Sequence, residues 1–287
     1  MTDLRARTIE DFGEQWTAFR QNPGYYGSVQ LLADFFGPLL TLDDLRGKRI
    51  ADVGSGTGRI VNMLLDAGAA HVHAVEPSAA FEVLKQNTAG REQSITYAQG
   101  PGEALPAGLE LDLVVSLGVL HHIPDPEPVL RAAFQALRPG GQLLVWIYGR
   151  EGNETYLKIV EPLRRITTKL PHGMLVAVSM ALNCVLALYI AMCRVISLPM
   201  HTYMREVLAK IPFNVRWRVV VYDQLNPAYA KYYTRTEAAA LLLKAGFIDV
   251  SLYHRHGYSW TVIGRRPANS NSEPVSKSDE LIAASPP

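Results

Sequence analysis

The chain has 287 residues, of which 48% are hydrophobic, enough for one substantial core with a smaller subdomain. Its 28 basic and 27 acidic residues give a net charge of +1, so the composition lacks the electrostatic footprint of nucleic-acid binding, and no nucleic-acid partner is expected. Cys184 and Cys193 lie in an apolar stretch without ligand or disulfide spacing, and we interpret them as core residues. The first twenty residues lack the apolar core of a signal peptide, which favours a cytoplasmic protein.

Predicted strands and helices alternate from residue 47, as in a doubly wound α/β fold. Strands are predicted at 50–53, 72–75, 95–98, 111–117 and 142–148, and the helices between them at 59–67, 79–87 and 127–137. The alternation breaks after residue 148 and resumes with a helix at 236–245 and a hairpin at 247–264. The pattern predicts a mostly parallel seven-stranded sheet that ends in an antiparallel hairpin.

The segment boundaries follow from the same pattern. We expect an N-terminal helical cap at 1–46, an α/β core at 47–149 and a mostly helical insertion at 150–233. A helix and hairpin at 234–267 then complete the core. Residues 268–287 are small, polar and proline-containing, which predicts a disordered tail.

A glycine-rich turn follows the first predicted strand and opens a helix, an arrangement that suits a nucleotide-like ligand. Its sequence is Asp52-Val53-Gly54-Ser55-Gly56-Thr57-Gly58-Arg59. A dinucleotide fingerprint would require glycine at position 59, where this chain has arginine. Glu76 ends the second predicted strand, directly before Pro77, and its carboxylate can accept hydrogen bonds from both ribose hydroxyls.

The Gly-x-Gly-x-Gly spacing with a preceding acid resembles the S-adenosylmethionine (SAM) loop of class I methyltransferases, and the closing hairpin matches that family's strand order. The resemblance covers roughly residues 47–267 and implies SAM as cofactor. It also implies that Gly102 and Glu103 lie along the adenine. Pro101 stands where the family often has an aspartate, so that contact must come from elsewhere. The cofactor-binding residues expected from the loop and the resemblance are Asp52, Gly54, Ser55, Gly56, Gly58, Glu76, Pro77, Gly102, Glu103, Leu117, Trp16 and Tyr25.

Trp16 and Tyr25 belong to that set because similar aromatic N-terminal segments fold over SAM in related methyltransferases. Ordinary packing of an N-terminal helix against the sheet is the alternative.

The segment after the fourth strand resembles the floor of the family's methyl-transfer site. It contains His121 and His122, and we predict His121 as a general base because it comes first out of the strand and is expected to face the cleft. Asp223, His122 and His256 are the alternatives. Adjacent histidines point to different faces and no acidic or cysteine partner stands at ligand spacing, so no metal site is predicted.

The insertion contains twenty consecutive uncharged residues at 174–193, long enough for a transmembrane helix. A single crossing would separate the last helix and hairpin from the sheet that they complete. Two short helices folded as a lid, a dimer contact, or a helix lying in a membrane surface all satisfy that constraint. We therefore predict a lid over a small-molecule acceptor, with a homodimer or peripheral membrane contact through the same stretch as alternatives.

Together these features predict a SAM-dependent methyltransferase that acts on a small, partly apolar acceptor, with oxygen favoured as the acceptor atom. Two alternatives remain open. One is a membrane-surface enzyme that modifies a lipid or quinone-like substrate, and the other is a non-catalytic SAM-binding partner protein.

Overall fold

The computed structural model describes residues 2–268 of the chain, and the expected disordered tail lies outside these residues except for residue 268. Seven strands form one sheet in the order β3-β2-β1-β4-β5-β7-β6. The strands are β1 Arg49–Val53, β2 His71–Glu76, β3 Ile95–Gln99, β4 Leu111–Leu117, β5 Leu137–Tyr148, β6 Ile248–Arg255 and β7 Ser259–Arg265. The pairs among β1 to β5 are parallel, whereas β7 is antiparallel to both β5 and β6. The predicted doubly wound sheet with its closing hairpin is confirmed.

The helices lie before, between and after these strands. They are α1 Thr2–Ala18, α2 Val29–Phe36, α3 Arg59–Asp66, α4 Phe81–Asn87, α5 Glu127–Ala136, α6 Glu154–Thr167, α7 His172–Met192, α8 His201–Glu206, α9 Phe213–Arg216, α10 Tyr222–Leu225 and α11 Arg235–Lys244, with a π-helix at Trp217–Val221 between α9 and α10. Several short 3₁₀ turns connect them, including Gly102–Ala104 and Leu120–His122. Chain order therefore separates a cap (α1 and α2), a core, and an insertion (α6 to α10) that precedes α11.

The fifth strand begins earlier than the sequence predicts. Residues 138–141, which separate the predicted helix at 127–137 from the predicted strand at 142–148, lie inside β5, because Leu111 pairs with Leu137 while Leu113 pairs with Gln142. This register shift accommodates residues 138–141 as a bulge, and Gly140 adopts a φ of 78° there. The last helix begins at Arg235 because Thr234 and Glu237 form a capping box, in which each side chain bonds the other residue's backbone amide.

The insertion leaves and rejoins the sheet at the same place. The Tyr233 amide donates to the carbonyl of Tyr148 at 2.9 Å, and the Arg150 amide donates to the carbonyl of Tyr233 at 2.9 Å. Both roots of the insertion are therefore bound to the end of β5. This arrangement satisfies the constraint that the chain return to the sheet on one side.

The helix α7 differs from the two short helices expected for a lid. It has 21 residues and is the one helix in residues 2–268 that is long and apolar enough to cross a bilayer by length and composition. Its polar residues Ser179 and Asn183 are buried against the insertion, whereas Val185 and Leu188 are 65% and 66% exposed. Cys193 is buried, but Cys184 is exposed, so the prediction that both cysteines are core residues is wrong for Cys184.

The cap helix α1 is fixed to the insertion by side-chain hydrogen bonds. The Asn226 amide donates to the carbonyl of Asp11 at 2.8 Å, and the backbone amide of Ala228 donates to Asp11 Oδ2 at 3.0 Å. Gln15 is fully buried between the two segments. These contacts hold α1 next to the carboxyl ends of the parallel strands, where an α/β sheet binds its ligands.

Candidate active site

A cavity of about 240 Å³ lies beyond the carboxyl ends of β1, β2 and β4 and contains the predicted glycine loop. The cap, the core and the insertion all contribute to its wall, for example through Phe12, Gly54 and Asp223. It is at the point where the chain turns from β1 to either side of the sheet, which is the usual ligand position in doubly wound folds. One enclosure is therefore formed by three separate parts of the chain.

The glycine loop brings its backbone to the cavity through two glycines whose positive φ angles disfavour a side chain. Gly54 has a φ of 82°, and a Cβ there would lie 2.4 Å from Val119 Cγ2. Gly56 has a φ of 53° and lies below the indole of Trp16, with 3.6 Å between a built Cβ and the ring. Gly54, Ser55 and Gly56 all line the cavity. The backbone cradle between this loop and Trp16 suits a flat or extended ligand held close to the chain.

Glu76 lies at the end of β2 and lines the cavity next to Pro77. Its Oε2 accepts from the Gly56 amide at 2.7 Å, and its Oε1 accepts from the amide of Ser78 at 2.9 Å and from the Ser78 hydroxyl. A carboxylate accepts about four hydrogen bonds, so Gly56 and Ser78 together occupy three of these positions. Glu76 therefore shapes the glycine loop as well as facing the cavity, and a ribose diol would share its oxygens with the loop.

Four predicted cofactor residues do not line the cavity. Asp52 is buried, with Oδ2 unpartnered among the residues that the structure describes, and burial raises its pKa to about 7. Gly58 is the N-cap of α3, where its φ of 80° turns the chain away from the cavity. Glu103 does not line the cavity and pairs with Arg5, whose Nη2 lies 2.5 Å from Glu103 Oε2. Tyr25 points to Lys210, and its neighbour Tyr26 lines the cavity instead.

The remaining predicted cofactor residues do lie in the wall; they are Gly54, Ser55, Gly56, Glu76, Pro77, Gly102, Leu117 and Trp16. Gly102 leaves no space for a side chain, because a Cβ would be 2.7 Å from Val53 Cγ1.

Three arginines in the wall were not predicted from the sequence; they are Arg5, Arg59 and Arg255. Arg59 begins α3, lines the cavity, and lies with its guanidinium 4.2 Å from the centre of the Tyr26 ring. Its Nη1 donates to the Tyr26 carbonyl at 3.3 Å, which leaves other N–H groups for an anionic ligand group. Arg255 is fully buried, also lines the cavity, and pairs with Asp34. Arginine immediately after a glycine loop was the available signal for Arg59, whereas the position of Arg255 depends on folding.

The two histidines lie the other way round from the sequence prediction, because His122 and not His121 faces the cavity. His121 is fully buried, does not line the cavity, and lies with its ring centre 3.8 Å from that of Tyr148. The prediction that His121 faces the cleft is wrong, because the 3₁₀ turn at Leu120–His122 rotates it toward the sheet. His122 lines the cavity instead, and its Nδ1 donates to the carbonyl of Tyr229 at 2.8 Å. Burial lowers the pKa of His122 to about 3, which disfavours it as a proton acceptor.

Asp223 is the predicted catalytic candidate that has both position and basicity. It lines the cavity from α10, and its two oxygens accept from Gln15 Nε2 at 3.2 Å and from the Tyr148 hydroxyl at 3.1 Å. Burial raises the pKa of its carboxyl group, although these two hydrogen bonds oppose the rise. A raised pKa brings a carboxylate closer to the basicity that general-base catalysis near neutral pH requires.

His256 lies outside the site. It does not line the cavity, and its Nε2 is 2.7 Å from Asp34 Oδ1 at the turn between β6 and β7. Its φ of 48° follows from that tight turn, which points the side chain away from the strand ends. The described residues also contain no group of three or more histidine, cysteine, aspartate or glutamate side chains that could hold a metal ion.

Residues 51–145 match the family model described as a methyltransferase domain. A tRNA U34 carboxymethyltransferase from Idiomarina loihiensis is 36% identical over 121 residues, which cover 40% of this chain and 37% of that protein. A ubiquinone biosynthesis O-methyltransferase from Pseudomonas fluorescens is 31% identical over 132 residues, covering 45% of this chain and 56% of the relative. The chain thus spans about half the length or less of these curated relatives.

A solved structure described as the pyocyanin biosynthetic protein PhzM has a TM-score of 0.50 at 16% identity. It covers 83% of this chain and 55% of its own, and this likeness concerns the fold.

The sheet order, the glycine loop and the match of residues 51–145 to the methyltransferase-domain model agree with the class I SAM-dependent methyltransferase that the sequence resemblance implied. The cofactor of this class is SAM, and the cavity suits it: the loop is an open backbone cradle, Glu76 faces the cavity, and Arg59 can meet a carboxylate. The residues that would hold SAM are Gly54 to Gly56 along the chain of the ligand, Glu76 at the ribose, Gly102 near the base, and Trp16 above the loop.

We predict that Glu76→Gln weakens SAM binding by about 10- to 100-fold, or about 1.4–2.8 kcal/mol. The substitution removes a charged acceptor from the ribose position and places an amide NH₂ opposite the donors of the loop. Titration calorimetry with SAM measures the change. Glu103→Gln is the matched control, since that carboxylate also follows a strand but lies outside the cavity, and it should change the affinity less than threefold. Equal effects of the two substitutions would contradict the assignment of Glu76.

Proposed function

We propose that the protein transfers the methyl group of SAM to an oxygen atom of a small, partly apolar acceptor. The single observation that carries this proposal is the partly buried carboxylate of Asp223 in the wall of an otherwise largely aromatic and aliphatic cavity. A hydroxyl acceptor must lose a proton as it is methylated, and a buried carboxylate of raised pKa can accept that proton.

The neighbours of Asp223 support this role. Gln15 and Tyr148 donate to its two oxygens and hold the carboxylate in one orientation. The Tyr148 hydroxyl in turn accepts from Gln224 Nε2 at 2.6 Å, so its own proton is directed to Asp223. A carboxylate can accept more than these two hydrogen bonds. The hydroxyl group of the substrate that receives the methyl group can therefore donate to Asp223 as well. Because ionised Asp223 is the active form, turnover is expected to rise with pH through its raised pKa.

The wall around Asp223 supplies the apolar surface. Phe12 packs edge-on to His122 with 4.8 Å between ring centres, and Trp146 and Tyr148 extend the aromatic surface along β5. When bound, SAM supplies an electrophilic methyl group on a positively charged sulfur. These rings exclude water from that reaction, and a dry environment favours a step in which opposite charges are cancelled.

The relatives support oxygen as the acceptor atom, since the name of one of them is ubiquinone biosynthesis O-methyltransferase. A tRNA substrate, as the name of the other relative states, is disfavoured by the net charge of +1 and by the enclosed aromatic cavity. Burying a carboxylate without an ion-pair partner costs free energy, and a non-catalytic SAM-binding protein would gain no function that offsets this cost. The carboxylate of Asp223 in the cavity therefore disfavours the non-catalytic alternative.

We predict that Asp223→Asn lowers turnover by at least 100-fold and changes SAM affinity less than threefold. The assay uses methyl-labelled SAM with catechol and simple phenols, and extraction recovers the labelled ethers. The comparison variant is His122→Gln, which alters the rival proton acceptor in the same wall. A large loss in His122→Gln with little loss in Asp223→Asn would reverse the assignment. Wild-type protein that binds SAM but labels no hydroxyl compound, including those of a cell extract, would favour the non-catalytic alternative.

We further propose that the outer face of α7 rests on an anionic bilayer as a peripheral contact of a cytoplasmic protein. The helix buries its polar residues and exposes apolar ones, the reverse of a helix that faces water. The exposed apolar residues lie in one stripe; they are Met174, Met180, Val185, Leu188 and Met192.

The charges around the outer face of α7 favour a negatively charged surface over a second copy of the chain. Five of the six exposed charged residues between positions 158 and 205 are basic; the six are Lys158, Glu161, Arg165, Lys169, Arg194 and Arg205. A second copy would bring like charges together, whereas an anionic bilayer attracts them.

We predict that the protein floats with vesicles that contain phosphatidylserine and is released by alkaline carbonate. The double substitution Val185→Asn with Leu188→Asn should abolish flotation, because it removes apolar area from the contact. Leu243→Asn with Ile248→Asn is the matched control, since these exposed apolar residues lie on α11 and β6. Resistance to carbonate would indicate a spanning helix, and a stable dimer without flotation would indicate a subunit contact; either outcome contradicts the proposal.

A further inference from the structure

A second cavity of about 240 Å³ lies inside the insertion, between α6 and α7, and the methyl-transfer chemistry does not use it. Its wall includes Val160 and Leu163 of α6, Leu182 and Leu186 of α7, and Leu208. Protein interiors are close packed and contain few voids larger than a water molecule. A cavity of this size between two helices is therefore a candidate binding site.

The polar side chains in this wall already bond to one another. The Tyr156 hydroxyl donates to Gln224 Oε1 at 2.8 Å, and the Tyr232 hydroxyl donates to the same oxygen at 3.2 Å. None of the buried polar side-chain atoms that lack a partner in residues 2–268 belongs to this wall. A polar ligand would find no free partner here, whereas an apolar chain would lose nothing by burial.

The second cavity adjoins the first at one end and reaches the surface at the other. Five side chains line both cavities; they are Tyr148, Tyr203, Val220, Gln224 and Tyr258. Ile159 also lines the second cavity and is 67% exposed. The cavity therefore opens at the outer side of α6, the helix that precedes α7 along the chain. One layer of side chains thus separates the methyl-transfer cavity from an apolar passage to the surface.

We propose that the second cavity binds the apolar chain of an amphiphilic acceptor whose methylated hydroxyl group lies next to Asp223. The proposal rests on the proposed methyl transfer and adds the class of substrate, namely a phenol-like head with an aliphatic or prenyl chain. The chain must pass the shared wall, where the centre of the Tyr203 ring, on the short helix α8, lies 3.9 Å from that of the Tyr258 ring. The chain end reaches the mouth at Ile159, on the side of the molecule that carries the apolar α7.

The test measures binding of 4-ethylphenol, 4-butylphenol and 4-octylphenol by calorimetry, with S-adenosylhomocysteine filling the cofactor site. Each buried methylene can raise affinity by at most roughly fourfold, so we expect at least a tenfold rise from the ethyl to the octyl compound. Affinities that agree within threefold across the series would overturn the proposal.

A matched pair of surface variants on α6 locates the chain. Ile159→Glu places a charge at the mouth and should weaken octylphenol binding at least fivefold without affecting ethylphenol. Ile166→Glu is the control, since Ile166 is 63% exposed on the same helix but does not line the cavity. Both are exposed positions, so both variants should fold. If the two variants act alike, the chain lies elsewhere and the proposal is wrong.

A third variant fills the cavity from the other helix, and the readouts separate the two proposals. Leu186→Trp should remove the chain-length dependence while ethylphenol still binds, and unchanged affinity for S-adenosylhomocysteine verifies its fold. Preserved chain-length dependence in a correctly folded Leu186→Trp would count against the site. Methylation of ethylphenol by the wild type tests the proposed function separately, because chain-dependent binding without methylation would refute that function alone.

Discussion

Tyr148, the last residue of β5, joins the sheet, the insertion and the cavity. Its carbonyl accepts from the Tyr233 amide, which closes the insertion onto the sheet, and its hydroxyl donates to Asp223. Its ring packs on that of His121 and also stacks with that of Tyr232. The centres of the Tyr148 and Tyr232 rings are 5.3 Å apart. The position of the carboxylate in the cavity therefore depends on the same residue that bonds the returning end of the insertion to the sheet.

The burial of Asp223 also couples the cap to the rest of the molecule. A buried carboxylate is costly without hydrogen-bond donors, and one of its two donors, Gln15, comes from α1. The cap is bonded to the insertion through Asp11 and Asn226 as well. Docking of α1 thus both closes the cavity and stabilises the ionised group within it, so that cap position and proton acceptance are physically linked.

The sequence predicted the parts of this site that depend on local pattern. The glycine spacing and the acid after β2 identified the loop and Glu76, because both depend on backbone geometry near one strand end. The orientation of the histidine pair could not be predicted, since a single 3₁₀ turn decides which ring leaves the sheet face. Contacts between distant segments, such as Gln15 with Asp223 or Arg255 in the cavity wall, follow only from the folded arrangement. The reversed burial of α7 could not be predicted either, because its apolar composition fits a core, a lid and a membrane surface equally well.

We infer that cap, core and insertion enclose the cofactor together in one cavity. Amide hydrogen exchange with and without S-adenosylhomocysteine tests it most directly, because each segment reports on its own protection. We expect slower exchange in the glycine loop at residues 54–58, in α1 around Phe12 and Trp16, and in α10 around Asp223. Protection confined to the loops of the core, with unchanged exchange in α1 and α10, would contradict it.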